Sequence, residues 1–122
     1  MVHKEEFYRR LFESTGTGFV ILDRDARVVE ANQEYVRLTG YRDLSQISGR
    51  DLNEWTVPDH RSRNIEAFNR CIADAKLVHF EVDYIGPDAG IIPVEVHGTM
   101  LEEDGTRFVL GLCRDISDRR LA

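Results

Sequence analysis

The feature that most restricts how this chain can fold is an alternation running through residues 77–100. Val78, Phe80, Val82 and Tyr84 alternate with His79, Glu81 and Asp83, and beyond a turn at residues 86–90, Val94, Val96 and Met100 alternate with Glu95, His97 and Thr99. A period of two is the mark of strands with one buried face. Centring the hairpin on Asp88 sets Phe80 opposite Val96 and Val82 opposite Val94. A slip of one residue would place apolar side chains against charged ones, so parity fixes the register. Glu103, Asp104 and Gly105 form the next hairpin turn. The last strand, residues 108–113, is apolar on both faces and needs a cover on its outer side.

The first half of the chain is punctuated by turn and cap residues. Residues 19–22 are a short apolar strand, Asp23 to Ala26 form a turn in which the carboxylates bond their own backbone, and residues 27–31 return as a second strand. Asn32 caps a helix whose apolar side carries Tyr35, Val36 and Leu38, and Gly40 ends it in the left-handed conformation. Asp43 and Asp51 each cap a short helical turn. Pro58 closes that region and Asp59 caps a longer helix running to about Ala75, with Ile65, Phe68 and Ile72 in an apolar stripe expected to face the sheet. Two strands, a helical middle and three strands describe an α+β domain. Residues 2–13 form a leading amphipathic helix with Phe7, Tyr8, Leu11 and Phe12 on one side.

At residues 18–41 the pattern of apolar strand, Asp-rich turn, second strand, and Asn starting a helix that ends in Gly40-Tyr41 resembles the opening of PAS domains, sensory modules of bacterial signalling proteins. Ala26 stands where that family often has Gly. The resemblance resumes at residues 113–120, where Asp115-Ile116-Ser117 is similar to the family's closing Asp-Ile-Thr. It implies a PAS fold: a five-stranded antiparallel sheet with the first strand central and helices on one face. The expected organisation is an N-terminal helix over 1–16, a PAS core over 17–117, and at 118–122 the start of a linker to an output domain absent from this chain. In the family the closing segment couples the sheet to a following helix, which assigns signal coupling to Asp115 and Arg119. Pairing through the leading helix makes Phe7, Tyr8 and Leu11 the candidate contacts of a homodimer.

Composition removes several classes of function. The 122 residues carry a formal net charge of -6 with no basic cluster, which argues against nucleic acid or an anionic membrane as partner. No apolar run approaches the roughly 20 residues of a spanning helix, and no secretion signal is visible, so a cytoplasmic location is expected. No nucleophile with a base and no phosphate-binding loop can be read, and the glycines fall at turns, so the domain itself is not expected to be an enzyme. His79 opposite His97 and Glu81 opposite Glu95 form a set that binds zinc-type ions, but such residues usually serve a solvated strand face, and no metal site is predicted. Cys71 and Cys113 sit at apolar positions, where thiols are inert.

Resemblance excludes two cofactors. The reactive cysteine of the light-sensing flavin branch is missing after Gly49-Arg50, and Asn64 takes the place of the iron-ligating histidine of haem-binding relatives. Haem and cysteinyl-flavin chemistry are therefore not expected. What remains is a pocket with Trp55, Ile65, Phe68, Ile72, Phe80, Val82, Val94 and Val96 as candidate walls, which either encloses a small apolar ligand or packs shut. The function expected is a sensory module attached to a histidine kinase or diguanylate cyclase; the alternative is a dimerisation module that binds no ligand.

Overall fold

The computed structural model describes residues 4–121. Helix α1 (Lys4–Ser14) leads into β1 (Gly18–Leu22), β2 (Val28–Ala31) and α2 (Gln33–Thr39). Three 3-10 turns (Leu44–Gln46, Leu52–Trp55, Pro58–His60) and α3 (Arg61–Asp74) precede the long strands β3 (Lys76–Ile85), β4 (Ile91–Glu103) and β5 (Thr106–Asp115), and α4 (Ser117–Leu121) follows. The strands form one antiparallel sheet in the order β2-β1-β5-β4-β3. β5 is therefore the central strand, not β1. It pairs with β1 on one side and β4 on the other, which explains why its sequence is apolar on both faces.

The β3–β4 register is the one parity dictates, with Phe80 opposite Val96 and Val82 opposite Val94. Between Leu77 and Phe80 the pairing shifts by one residue, so β3 carries a bulge at 78–79 and His79 takes a positive φ of 52°. Leu77, just before the bulge, borders the inner-face cavity, and the Val78 side chain lies outside the described residues.

Buried polar bonds hold the N-terminal half. Asn32 is 1% exposed; its Oδ1 accepts from Tyr35 N at 3.0 Å, capping α2, and from Phe19 N at 2.9 Å, while its Nδ2 donates to Thr17 O at 3.0 Å. One carboxamide thus fixes the start of α2 against the start of β1. Gly18 permits the approach, since a Cβ there would stand 2.9 Å from Tyr35 Cα. Asp51 Oδ1 accepts from Asn53 N and caps its turn as expected, while Asp43 occupies the N-cap position of the first turn and its backbone N donates to Gln46 Oε1. Asp59 does not cap the long helix. It lies within the turn that Pro58 opens, and α3 starts at Arg61 without a side-chain cap.

The inner sheet face packs on α2, the 3-10 turns and α3 in one core that contains Trp55, Tyr35, Leu38, Val82 and Val94. The buried side of α3 is centred on Asn64, Ala67, Phe68 and Cys71. Ile72 lies half-buried at its margin, and Ile65 is 49% exposed, so the stripe is rotated by about one residue from the sequence expectation. Asn64 can occupy the buried side because Nδ2 donates to Thr56 Oγ1 at 3.2 Å and Asn53 Oδ1 at 3.3 Å.

Asn32→Ala removes a helix cap and leaves buried strand groups unpaired, and should lower stability by about 2–4 kcal/mol in urea unfolding. A loss below about 1 kcal/mol would show that the junction does not depend on this side chain.

Candidate functional site

A cavity of about 40 Å³ lies between α3 and the inner sheet face. It exists because two strand positions lack side chains: Gly98 on β4 pairs with Gly111 on β5, and both border it. A Cβ at Gly98 would stand 3.2 Å from Cys71 Sγ, and one at Gly111 3.2 Å from Val20 Cγ1. The sequence reading had placed the glycines at turns; these two form the cavity floor inside the sheet. The volume suits a water molecule, which occupies about 30 Å³ in the liquid.

Of the predicted wall, Phe68, Phe80 and Val96 border the cavity. Trp55, Val82 and Val94 are fully buried in the packing around it, Ile72 stays at the helix margin, and Ile65 faces a separate surface groove beside Arg24 and Asn69. Lining residues not foreseen include Tyr35, Asn64, Leu77, Tyr84 and Cys113. Tyr84 was signalled by its place on the apolar phase of β3, and Tyr35 by the apolar side of α2.

The polar groups here form a short relay. Trp55 Nε1 donates to Tyr35 Oη at 3.1 Å, and the Tyr35 and Tyr84 hydroxyls are 3.1 Å apart. Three hydrogens serve two contacts, so one phenolic hydrogen has no acceptor among the described residues, and both phenols border the cavity. Burial pushes both phenols far above their ordinary range, so they remain neutral donors. Burial also pushes the Cys113 thiol up to about 12 and raises Cys71, which keeps both as unreactive thiols. His60 Nδ1 accepts from Asp83 N at 3.0 Å, and Asn64 is committed to Thr56 and Asn53.

The exit from the domain is tied at two points. Asp115 Oδ1 accepts from Ser117 N at 2.9 Å and from Ser117 Oγ at 2.6 Å, at the start of α4, while Oδ2 faces Arg37 Nη2 of α2 at 3.5 Å. Burial pushes the Asp115 carboxyl up, but the Ser117 bonds and Arg37 outweigh it, and the net shift is below its usual value. A depressed folded value means that its contribution is present above the unfolded value near 3.9 and is lost as pH falls through the folded one. At neutral pH the junction is therefore charged and closed. Arg119 Nη1, one turn into α4, donates to Glu95 Oε2 on β4 at 2.9 Å. Glu95, expected as a solvated outer-face charge, is only 9% exposed, and this bond followed by His97 draws its carboxyl below the usual range.

On the outer face, Phe12 of α1 packs on Phe19 with ring centroids 5.8 Å apart. Phe7 and Leu11 stay 54% and 46% exposed, Leu11 lines a surface groove with the half-buried Leu112 of β5, and the Tyr8 side chain lies outside the described residues. Among the described residues no helix is long and apolar enough to cross a membrane.

This sheet order, closed on its inner face by helices around a small core cavity and continued by a tethered exit helix, is an α+β sensory fold. The PAS-fold family pattern matches residues 6–116, and the chain belongs to that family. It is 23% identical over 123 residues to the sensor histidine kinase TmoS of Ectopseudomonas mendocina, a match that takes in 97% of this chain and 12% of that protein. Among solved structures it resembles a PAS domain from Colwellia psychrerythraea (TM-score 0.80, 19% identity, 96% of this chain and 100% of that one). It also resembles a domain of a sensory box sensor histidine kinase/response regulator from Geobacter sulfurreducens (TM-score 0.73, 21% identity, 92% and 94% covered). The kinship with kinase-borne PAS domains supports a sensory signalling module.

The relay is asymmetric, which gives a test. Tyr35→Phe strands both the Trp55 N–H and the Tyr84 hydroxyl and should cost about 2–4 kcal/mol in denaturant unfolding, whereas Tyr84→Phe removes one end and should cost about 1 kcal/mol. Equal losses would contradict the relay.

Proposed function

We propose that this domain senses a small ligand or partner and passes the change through α4 to an output domain of the histidine kinase or diguanylate cyclase type. Dimerisation through α1 is part of this reading, with Phe7, Tyr8 and Leu11 as its contacts. The observation that carries it is the exit junction: Asp115 joins α4 to α2 through Arg37, and Arg119 joins α4 to β4 through Glu95. Any shift of the sheet against α2 must change the two ties differently, and that difference reaches the first turns of the exit helix. The kinase relative supports a fused signalling enzyme.

The ligand for which the cavity is built is small and apolar with one hydrogen-bond acceptor, since the walls are apolar and a phenolic hydrogen is available. The small volume equally favours a second reading, in which the module holds two chains together and binds no ligand. Under the sensory reading the linker begins near residue 118 and the core spans residues 17–117.

Asp115→Ala in the full-length protein decides between the readings. Sensory coupling predicts an altered output activity, with the far-UV circular dichroism and unfolding midpoint of the domain nearly unchanged. Unchanged output in a folded variant supports the scaffold and contradicts coupling.

A further inference from the structure

A second cluster, on the opposite face of the sheet from the cavity, carries chemistry that the sensory reading uses only through the Glu95 tie to Arg119. The bulge in β3 sets both Val78 and His79 across from His97, and His79 holds a left-handed φ of 52° that costs a non-glycine residue on the order of 1–3 kcal/mol. The result is an imidazole brought back over the outer face, where the His79 and His97 rings meet edge to face at 4.7 Å. Glu95 lies beneath them. Its Oε2 is 3.7 Å from His79 Nδ1 and its Oε1 is 3.3 Å from His97 Nε2.

We propose that His79, Glu95 and His97 form a binding site for a zinc-type divalent cation, and that the cation competes with Arg119 for Glu95. The three ligand atoms all lie within 4.8 Å of one another. In a tetrahedral site with metal–ligand bonds of about 2.0–2.2 Å such atoms stand roughly 3.4 Å apart, so the cluster has to contract by about 1 Å or less along any edge. The contraction is available, because the His79 side chain is 75% exposed and free to swing while Glu95 is held nearly buried. Two imidazole nitrogens and one carboxylate suit zinc, copper or nickel rather than calcium or magnesium. Glu81, which pairs with Glu95 across the strands, is not among the three; the sequence had grouped it with them, but the cluster closes through the bulge instead.

Arg119 makes this site consequential. Its guanidinium holds the same carboxylate at 2.9 Å, and a cation on Glu95 offsets the charge that retains it. Arg114 of β5 pairs with Glu95 across the strands and is exposed, which adds a second positive charge to this face of the sheet. Metal occupancy should therefore loosen the α4 tie at Arg119 and leave the Asp115 tie in place. The binding itself does not depend on the sensory reading; only its effect on output does.

Calorimetric titration of the 122-residue chain with zinc chloride at neutral pH tests this directly. One zinc should bind per chain, with affinity falling roughly tenfold or more in His79→Ala and in His97→Ala, and rising severalfold in Arg119→Ala as Glu95 is released. His60→Ala should bind as the parent does. In the unmutated chain, proton resonances of the His79 and His97 rings should shift on zinc addition while those of His60 stay put, a readout that needs no variant to fold. Absence of binding, or affinity that survives both histidine substitutions, overturns the site; unchanged affinity in Arg119→Ala overturns the competition.

Discussion

One buried carboxamide sets the geometry on which the inner site depends. Asn32 bonds β1 once, at Phe19, the residue just before β1 once, at Thr17, and the first turn of α2 once, so the strand and the helix cannot move independently at that point. Three residues on, Tyr35 enters the core at the angle the cap dictates, where its hydroxyl receives the Trp55 indole and meets Tyr84 on β3. Breaking a polar chain of this kind is costly, because each buried donor left unpaired costs more than a bond returns. The fold therefore holds α2, the second 3-10 turn and the edge strand of the sheet in a fixed relation. The small cavity opens beside it where Gly98 and Gly111 meet.

Much of this was legible in the sequence, and the exceptions share a cause. The β3–β4 register could be read because its alternation is local and a slip carries a charge penalty. The Asn32 cap and the Gly40 stop could be read because each satisfies groups within its own helix. Ile65 was misplaced because helical periodicity weighs apolarity alone, whereas Asn64 takes the buried side by bonding Thr56 and Asn53, partners from other elements. The glycine pair gave no signal, since its meaning appears only once β4 and β5 are in register. The bulge at 78–79 was hidden for a similar reason: the alternation continues in phase on its C-terminal side, and the extra residue shows only as a strained φ at His79. The central position of β5 is present in its two apolar faces, which by themselves indicate only a need for an outer cover.

The two faces of the sheet thus carry different work. The inner face supplies packing, a relay of neutral phenols and a water-sized space. The outer face supplies charge: Glu95 under two imidazoles, joined to the exit helix by Arg119, next to an α1 that leaves Phe7 and Leu11 exposed. Asp115 and Arg119 reach α4 from different directions, one from α2 and one from β4. The first turn of a helix leaves amide donors without partners inside the helix; Asp115 takes the one at Ser117 and Arg119 ties the turn to β4, so these side chains decide whether that turn holds.

That dependence is the central physical claim, and amide hydrogen exchange measures it. In the double variant Asp115→Ala/Arg119→Ala, amides of α4 should lose protection to the level of unfolded chain while those of β4, β5 and α2 exchange as in the parent. Retained protection in α4 would contradict the account, and so would loss of protection spread through the sheet.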